Sequence, residues 1–434
     1  MKIGTAWRDI TPSKPLPLLG QMHERLGEYT RDPLTVNVAM LSDGDLKVAV
    51  ISVDVCMIPE ALARRLRNKC AEKCAEKCAI SADRVLISAT HTHVAPCTTD
   101  RIVGKADPEF IESLEQAVVE SVSSAIDDLD DVDVYAGTGH IDQMGWNRRG
   151  LREDGGCHMY YGSWFEDFVG IEGPRDGSVS VVFARRPDSD SVKLVMTSFS
   201  THPNSVEGES FYSADIPGEV RRVLRGVLGD DVGVVYLTGA AGNTAPSIME
   251  DNRDAQQPWR GESGLLRSGQ CLGGEILRVI AQQTKPMESP KLRLEREELE
   301  IPIRPWDEAS EFSHFGSGML EFFKKSKADW DRMLKEKSPV TAPVSVVRIG
   351  DAALLLNAAE LYCEFGLAMK EKSPARVNLV GQLNNGWIGY VPTPQAIKHG
   401  GYSAQSSWVT KLAPEAGWSI VKATGELLDQ AFAD

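Results

Sequence analysis

Arg84-Val85-Leu86-Ile87-Ser88-Ala89-Thr90-His91-Thr92-His93-Val94 is the stretch that organises the rest of the chain. Val85 to Ala89 is a short aliphatic and β-branched run, the composition of a buried strand. Side chains alternate in direction along an extended segment, so His91 and His93 are expected to point the same way. Two imidazoles leaving one strand end on one side suit a metal ion, or a metal and an acid/base group beside it. The chain has 8 His in 434 residues, so a pair two positions apart stands out. The plain alternative is two polar residues closing a strand with ordinary hydrogen bonds.

Working outward, Val36 to Leu41 and Leu46 to Val53 read as a hairpin around Ser42-Asp43-Gly44-Asp45, where Gly supplies positive φ. Pro59 to Ala79 has the period of an amphipathic helix. Asp107-Pro108-Glu109 opens a second helix running to about Leu129, with Pro just inside its start. Strands are expected at Val132 to Thr138, Val179 to Arg185, Leu194 to Phe199, Val232 to Leu237, Val344 to Ile349 and Ala352 to Leu356, and helices at Gly218 to Leu228 and Leu265 to Gln283. Leu151 to Gly173 is rich in Gly and aromatics without a period, the mark of an irregular loop that walls a site. The alternation predicts an α/β fold, a mixed β-sheet core flanked by helices, as one catalytic domain over 1–434 with a small charged, helical insertion near 286–340.

Hydrophobic content of 42% and charged content of 25% are those of a globular protein able to bury a large core. A net charge of −15 argues against nucleic-acid backbones, which need a basic stripe, and against anionic membrane surfaces. No apolar run is long enough to insert stably in a bilayer, and the amino terminus lacks a basic-then-apolar signal pattern. Cys70, Cys74 and Cys78 fall on one helical face; a soft-metal role is open, but small buried apolar groups are the simpler reading. These features predict a cytoplasmic protein whose partner is a small molecule.

His202, in Ser200-Thr201-His202-Pro203, closes a further strand, and Pro203 stops regular structure just beyond it. His140, past another strand, is a weaker candidate. Glu360 follows the apolar run Ala353 to Ala359. A charge there is costly unless it is paired or metal-bound, or sits at a helix N-terminus. Asp215, before a helix, is either an N-cap or a support for a ligand histidine, and Asp54 is open to the same two readings. Asn384 to Thr393, with Gly400-Gly401-Tyr402, looks like a loop approaching something closely.

Taken in order, Gly4-Thr5-Ala6 with Asp9-Ile10-Thr11-Pro12, Thr90-His91-Thr92-His93, Thr201-His202-Pro203, and Gly389-Tyr390-Val391 with Tyr402 resemble the catalytic domain of neutral/alkaline non-lysosomal ceramidases. The motifs run from about residue 3 to 402. The resemblance implies a zinc ion held by His91, His202, Glu360 and Tyr390, with Glu364, one turn on, as the rival carboxylate. It implies that His93 handles a proton or orients substrate beside the metal. Tyr402, twelve residues after Tyr390 as in the family, would stabilise an oxyanion. Asn147-Arg148 resembles the family's N-R motif, making Arg148 an oxyanion or substrate anchor and Arg149 its close rival.

The chain departs from the family at Gly242-Asn243-Thr244-Ala245-Pro246, where the relatives carry G-D-x-S-P with a Ser important for activity. Here Ala245 stands in that place, so no nucleophilic Ser is expected there. Gly242 and Asn243 remain candidates to line the pocket through their backbone, against a plain tight-packing role. The family's immunoglobulin-like carboxyl-terminal domain has no counterpart in this sequence. The expectation is therefore a zinc-dependent hydrolase of an amide or ester bond in a small soluble substrate. Its rivals are a true ceramide amidase, a zinc lactonase or lyase acting on a sugar acid, and a metal-binding homologue without activity.

Overall fold

The computed structural model describes residues 1–434 except 79, 101–102, 188, 250–256, 308–316, 337 and 434. The first sheet is built from β1 (Lys2–Asp9), β2 (Thr35–Ser42), β3 (Lys47–Val53) and, past helix α1 (Glu60–Cys78), β4 (Val85–Ala89). The expected hairpin is β2 with β3, paired from Val36↔Val53 to Ser42↔Lys47. The chain then crosses through α1, so β4 returns parallel to β3, as a strand reached through a helix does. Helix α2 (Pro108–Asp127) is capped by Asp107, whose side chain accepts from the Phe110 amide, satisfying an amide that the helix itself leaves open.

The second sheet holds β5 (Asp133–His140), β6 (Ser178–Arg185) and β7 (Val192–Phe199) antiparallel in turn, and after helix α3 (Asp215–Leu228) β8 (Gly233–Thr238) parallel to β7. Helix α4 (Gly261–Gln282) packs beside α3. The third sheet runs β9 (Leu292–Ile301), then beyond helix α5 (Ser317–Glu336) β10 (Val340–Ile349), β11 (Ala352–Asn357) and, after helix α6 (Cys363–Lys372), β12 (Val377–Gly381). Helix α7 (Ala416–Ala431) lies on β9 and β10.

Two apolar layers explain this arrangement. Leu41, Val50, Leu86, Val182, Met196, Leu237, Leu354 and Leu379 come from all three sheets and form one inner core. The opposite faces of the same strands pack on helices, with Val38, Ile51, Ile87, Val195 and Leu355 against residues such as Leu66, Val118 and Leu224. Strands buried on both faces read as continuous apolar runs, which is why these were legible. Cys70 and Cys74 lie in the helix-side core, in keeping with a small apolar role.

One stretch differs from expectation. Leu151 to Gly173 is no plain loop: Arg149–Arg152, Cys157–Met159 and Phe168–Ile171 pair as a three-stranded sheet. Its strands are too short to print a period of two. In 286–340, the charged segment is the edge strand β9, hydrogen-bonded to β10 from Leu292↔Ile349 to Ile301↔Val340. Charge on an exposed edge strand discourages pairing with other chains, and that outer position explains the composition. Part of this stretch, 308–316 and 337, lies outside the described residues.

Candidate metal centre

The His91 backbone does not follow the extended path expected of it. Strand β4 ends at Ala89, and His91 takes φ 72, a conformation that costs a non-glycine residue energy and marks sites held by their surroundings. The surroundings are present. The Thr90 amide donates to Val53 O and the His91 amide to Val55 O. The Thr90 hydroxyl donates to Asp54 and the Thr92 hydroxyl to Ser213 O. Both rings still converge, with Nε2 of His93 3.4 Å from Nε2 of His91. The expected convergence is there, but a backbone kink produces it rather than strand alternation.

His202, fully buried, enters from the end of β7 and brings its Nε2 to 3.1 Å from His91 Nε2. Glu360 follows β11 and pairs with Tyr390 in a two-residue parallel ladder, Glu360↔Tyr390 and Leu361↔Val391. Its Oε1 accepts from the Trp387 indole at 2.8 Å. Its Oε2 lies 3.3 Å from His91 Nε2 and 3.6 Å from His202 Nε2, and is buried without a hydrogen-bond partner among the described residues.

The tautomers follow from the partners of the other ring nitrogens. His91 Nδ1 is 2.6 Å from Cys56 O, and His202 Nδ1 is 2.6 Å from Ala241 O. A carbonyl only accepts, so each Nδ1 carries the proton and each Nε2 presents a lone pair. His93 Nδ1 lies 3.1 Å from a Glu207 carboxylate oxygen, which likewise only accepts. Three lone pairs and a carboxylate oxygen therefore surround one point. Arg148 Nη2 donates toward His202 Nε2 at 3.1 Å; no described residue donates to His91 Nε2. Such a donor set fits a cation. His91, His202 and Glu360 place one ligand atom each within 4.8 Å of one another, and two imidazoles with a carboxylate are a donor set of zinc sites.

The electrostatics of the donor set bear on the same point. Burial opposes charge on His91, yet Cys56 and Glu360 outweigh it and raise the ring's proton affinity well above its usual value. Burial and Arg148 push His202 well below it. Burial alone would raise the Glu360 carboxyl, but His91 and His202 hold it well below the carboxylate range. Positive charge is thus favoured on His91 and disfavoured on His202.

The remaining expected residues divide into two groups. Tyr390 and Tyr402 stand together, ring centroids 6.2 Å apart, with Arg148 5.9 Å from the Tyr402 ring. Burial raises both phenols, so both keep their protons. Arg148 is buried and donates to Tyr160 at 2.7 Å, to Gly242 O at 2.9 Å and toward Tyr390 at 3.4 Å. Arg149 turns to a different environment, bound by Glu172, the Tyr362 hydroxyl and Ala396 O. Gly242 reaches the centre through Arg148. Asn243 accepts from the Cys363 amide and donates to Glu364 at 2.8 Å, which places Glu364 with Asn243 and Glu360 with the histidines. His140 is exposed and pairs with Asp142.

The two aspartates act on backbone and loops. Asp54 accepts from the Thr35 amide, the Thr90 hydroxyl and Arg221, so it braces the histidine turn through Thr90. Asp215 is not the N-cap, a position held by Ala214. It sits at φ 54 and accepts from the amides of Ser205, Val206 and Ile216. It thereby pins the loop that follows His202. Sequence reasoning passed over Glu207 and Asn204, since single polar residues in a loop carry no spacing signal; Tyr160 and Trp387 fall in stretches expected to line a site, without a role of their own.

A cavity of about 40 Å³ opens at the centre, lined among others by Gly20, Met22, Cys56, His91, His93, Glu360, Trp387 and Tyr390. Solved structures share the architecture. A neutral ceramidase from Pseudomonas aeruginosa matches with a TM-score of 0.77 at 16% identity, covering 99% of this chain and 74% of that one. The chain has the neutral ceramidase fold. A ceramidase complexed with C2 matches with a TM-score of 0.75, also at 16% identity, over 98% of this chain and 74% of that one. No protein-family model and no curated protein sequence matches. At this identity the ceramidase likeness is one of fold, and the case for chemistry rests on the donor set. No described helix is long and apolar enough to cross a membrane.

Proposed function

We propose that this ceramidase-like chain is a zinc-dependent hydrolase that cleaves an amide or ester bond in a small soluble substrate, in the cytoplasm. The observation that carries it is the meeting of His91 Nε2, His202 Nε2 and the unpartnered Glu360 Oε2 at one buried point. Tyr390, one strand across from Glu360, is the proposed fourth ligand. When bound there, zinc supplies an acidified water and a Lewis acid for a carbonyl.

The chain's own residues do the rest. His93, whose Nε2 faces the same point, accepts the proton released on attack and returns it to the leaving group. Arg148 and Tyr402 lie side by side and donate to the negative charge that develops on the carbonyl oxygen, an effect worth about 3 kcal/mol per well-placed donor. The indole of Trp387 holds Glu360 so that Oε2 faces inward.

One observation supports a second reading. Arg148 has no carboxylate among its described hydrogen-bond partners, and its Nε is buried without a partner. An acidic substrate such as a sugar-acid lactone would supply the missing anion. Arg149, engaged by Glu172, is not available to share that grip.

The test is an elemental measurement on the purified chain and its His91→Ala variant, followed by a substrate screen with product mass analysis. Stoichiometric zinc lost in the variant is the expected result. Zinc and activity that both survive the substitution would refute the proposal. Hydrolysis adds the mass of water across the products and elimination does not, which separates the two readings.

A further inference from the structure

Three imidazoles meet at the centre, and their outer nitrogens are not treated alike. His91 and His202 each donate from Nδ1 to a neutral backbone carbonyl. His93 donates from Nδ1 to a carboxylate, Glu207 Oε2 at 3.1 Å. That carboxylate is itself built in. Its Oε1 pairs with Arg260 at 2.6 Å, and Asn204 Nδ2 donates to Oε2 at 3.2 Å. Asn204 Nδ2 also lies 2.6 Å from the Tyr160 hydroxyl, which in turn accepts from Arg148. The His93 carbonyl is held by Arg25 at 2.7 Å. The ring is thus fixed at the backbone on one side and at Nδ1 on the other.

We propose that Glu207 is the positioning residue for His93, locking its proton on Nδ1 so that Nε2 stays an acceptor aimed at the centre. This deepens the hydrolase reading, on which it rests for His93's part in proton transfer. A neutral imidazole has one donor and one acceptor nitrogen, and a carboxylate partner decides which is which. A carboxylate also stabilises positive charge arriving on the ring, which a carbonyl does less well. Of the three rings, His93 is therefore the one whose outer nitrogen rests on a carboxylate, while His91 and His202 rest on carbonyls. Tyr160 adds to the same frame. It holds φ 57, and Arg148 and Arg260 lie 5.2 and 4.9 Å from its ring. Glu207 is the anion in this network of two guanidiniums.

The experiment uses the full chain with ¹⁵N-labelled histidine, with the His93 signals assigned through a His93→Gln variant. The expected wild-type spectrum has His93 protonated at Nδ1 and bare at Nε2. Glu207→Ala is expected to give a mixture of tautomers while retaining zinc at the wild-type stoichiometry. With p-nitrophenyl acetate as probe, its kcat is expected to fall about 10- to 100-fold with little change in KM, the range seen when a group behind an active imidazole is removed. Glu207→Gln, whose amide oxygen still accepts from Nδ1, is expected to keep the tautomer and lose less rate. It also serves if the alanine variant fails to fold. A wild-type His93 protonated at Nε2, or unchanged tautomer signals in Glu207→Ala, would overturn the proposal. Absence of zinc or of esterase activity in the wild type would instead defeat the hydrolase reading and leave the tautomer result standing.

Discussion

His91 and His202 face each other nitrogen to nitrogen at 3.1 Å, although each keeps its proton on Nδ1, donating it to a carbonyl. Two lone pairs do not rest at that distance without positive charge between them. The chain is therefore expected to be stabilised by a cation that binds the folded state alone. At a free zinc concentration of 1,000 times Kd the gain is about 4 kcal/mol. Thermal unfolding with a chelator and with added zinc checks this, and a Tm that ignores both would contradict it. His91→Ala and His202→Ala should each abolish the zinc-dependent increment.

Glu360 and Glu364 sit one helical turn apart in sequence and have separate tasks. Glu360 directs an unpartnered oxygen at the histidines, whereas Glu364 is engaged by Asn243. Glu360→Gln replaces an anionic oxygen with a neutral group and is expected to weaken zinc affinity more than tenfold. Glu364→Gln is expected to leave zinc affinity within about twofold of wild type. Titration of each variant with a competing chelator reads the difference, and equal losses would remove Glu360 from the ligand set.

The strand and helix order was legible because runs such as Val36 to Leu41 and Val85 to Ala89 are buried on both faces and carry little polar interruption. His91, His202 and Glu360 were legible because each follows such a run. What aims them was not. The left-handed turn at His91 depends on amides contributed to Val53 and Val55, far back in the chain. Glu207 acquires its task from contacts with residues 53 and 114 positions away. Asp215 looked like a helix cap in sequence, but its backbone conformation turns its carboxylate to the neighbouring loop instead. Long-range contacts of this kind leave no local period to read.

Asp215 makes stability depend on pH. Burial raises its carboxyl to about 6 against a usual 3.8, even though three amides favour the charged form. A carboxyl whose folded pKa is raised contributes stability fully below its unfolded pKa, and that contribution is lost as pH rises through the folded value. The window is thus between about pH 4 and pH 6, and a shift of about 2 pKa units corresponds to about 3 kcal/mol. Asp215→Asn should unfold more easily throughout, because an NH₂ then faces amide donors, and should lack this slope. Denaturant midpoints at pH 4, 5, 6 and 7 provide the check; parallel curves for the two proteins would contradict the assignment.

Gly242 links the Arg148 side of the site to Glu360. Its carbonyl accepts from Arg148, and its amide donates to Leu361 O. A Cβ at this position would come within 2.5 Å of the Glu360 carbonyl oxygen and 3.0 Å of the Tyr362 ring. Backbone cannot yield as a flexible side chain does, so Gly242→Ala is expected to displace Glu360 and lower zinc affinity at least tenfold, at a cost of about 1–3 kcal/mol in stability. Gly274, inside α4, is the matched control: a Cβ there meets nothing within 4 Å. Gly274→Ala should leave zinc binding intact and stabilise the chain by about 0.5–1 kcal/mol through helix propensity. Equal zinc affinity in both variants would mean that the Gly242 turn does not set the position of Glu360.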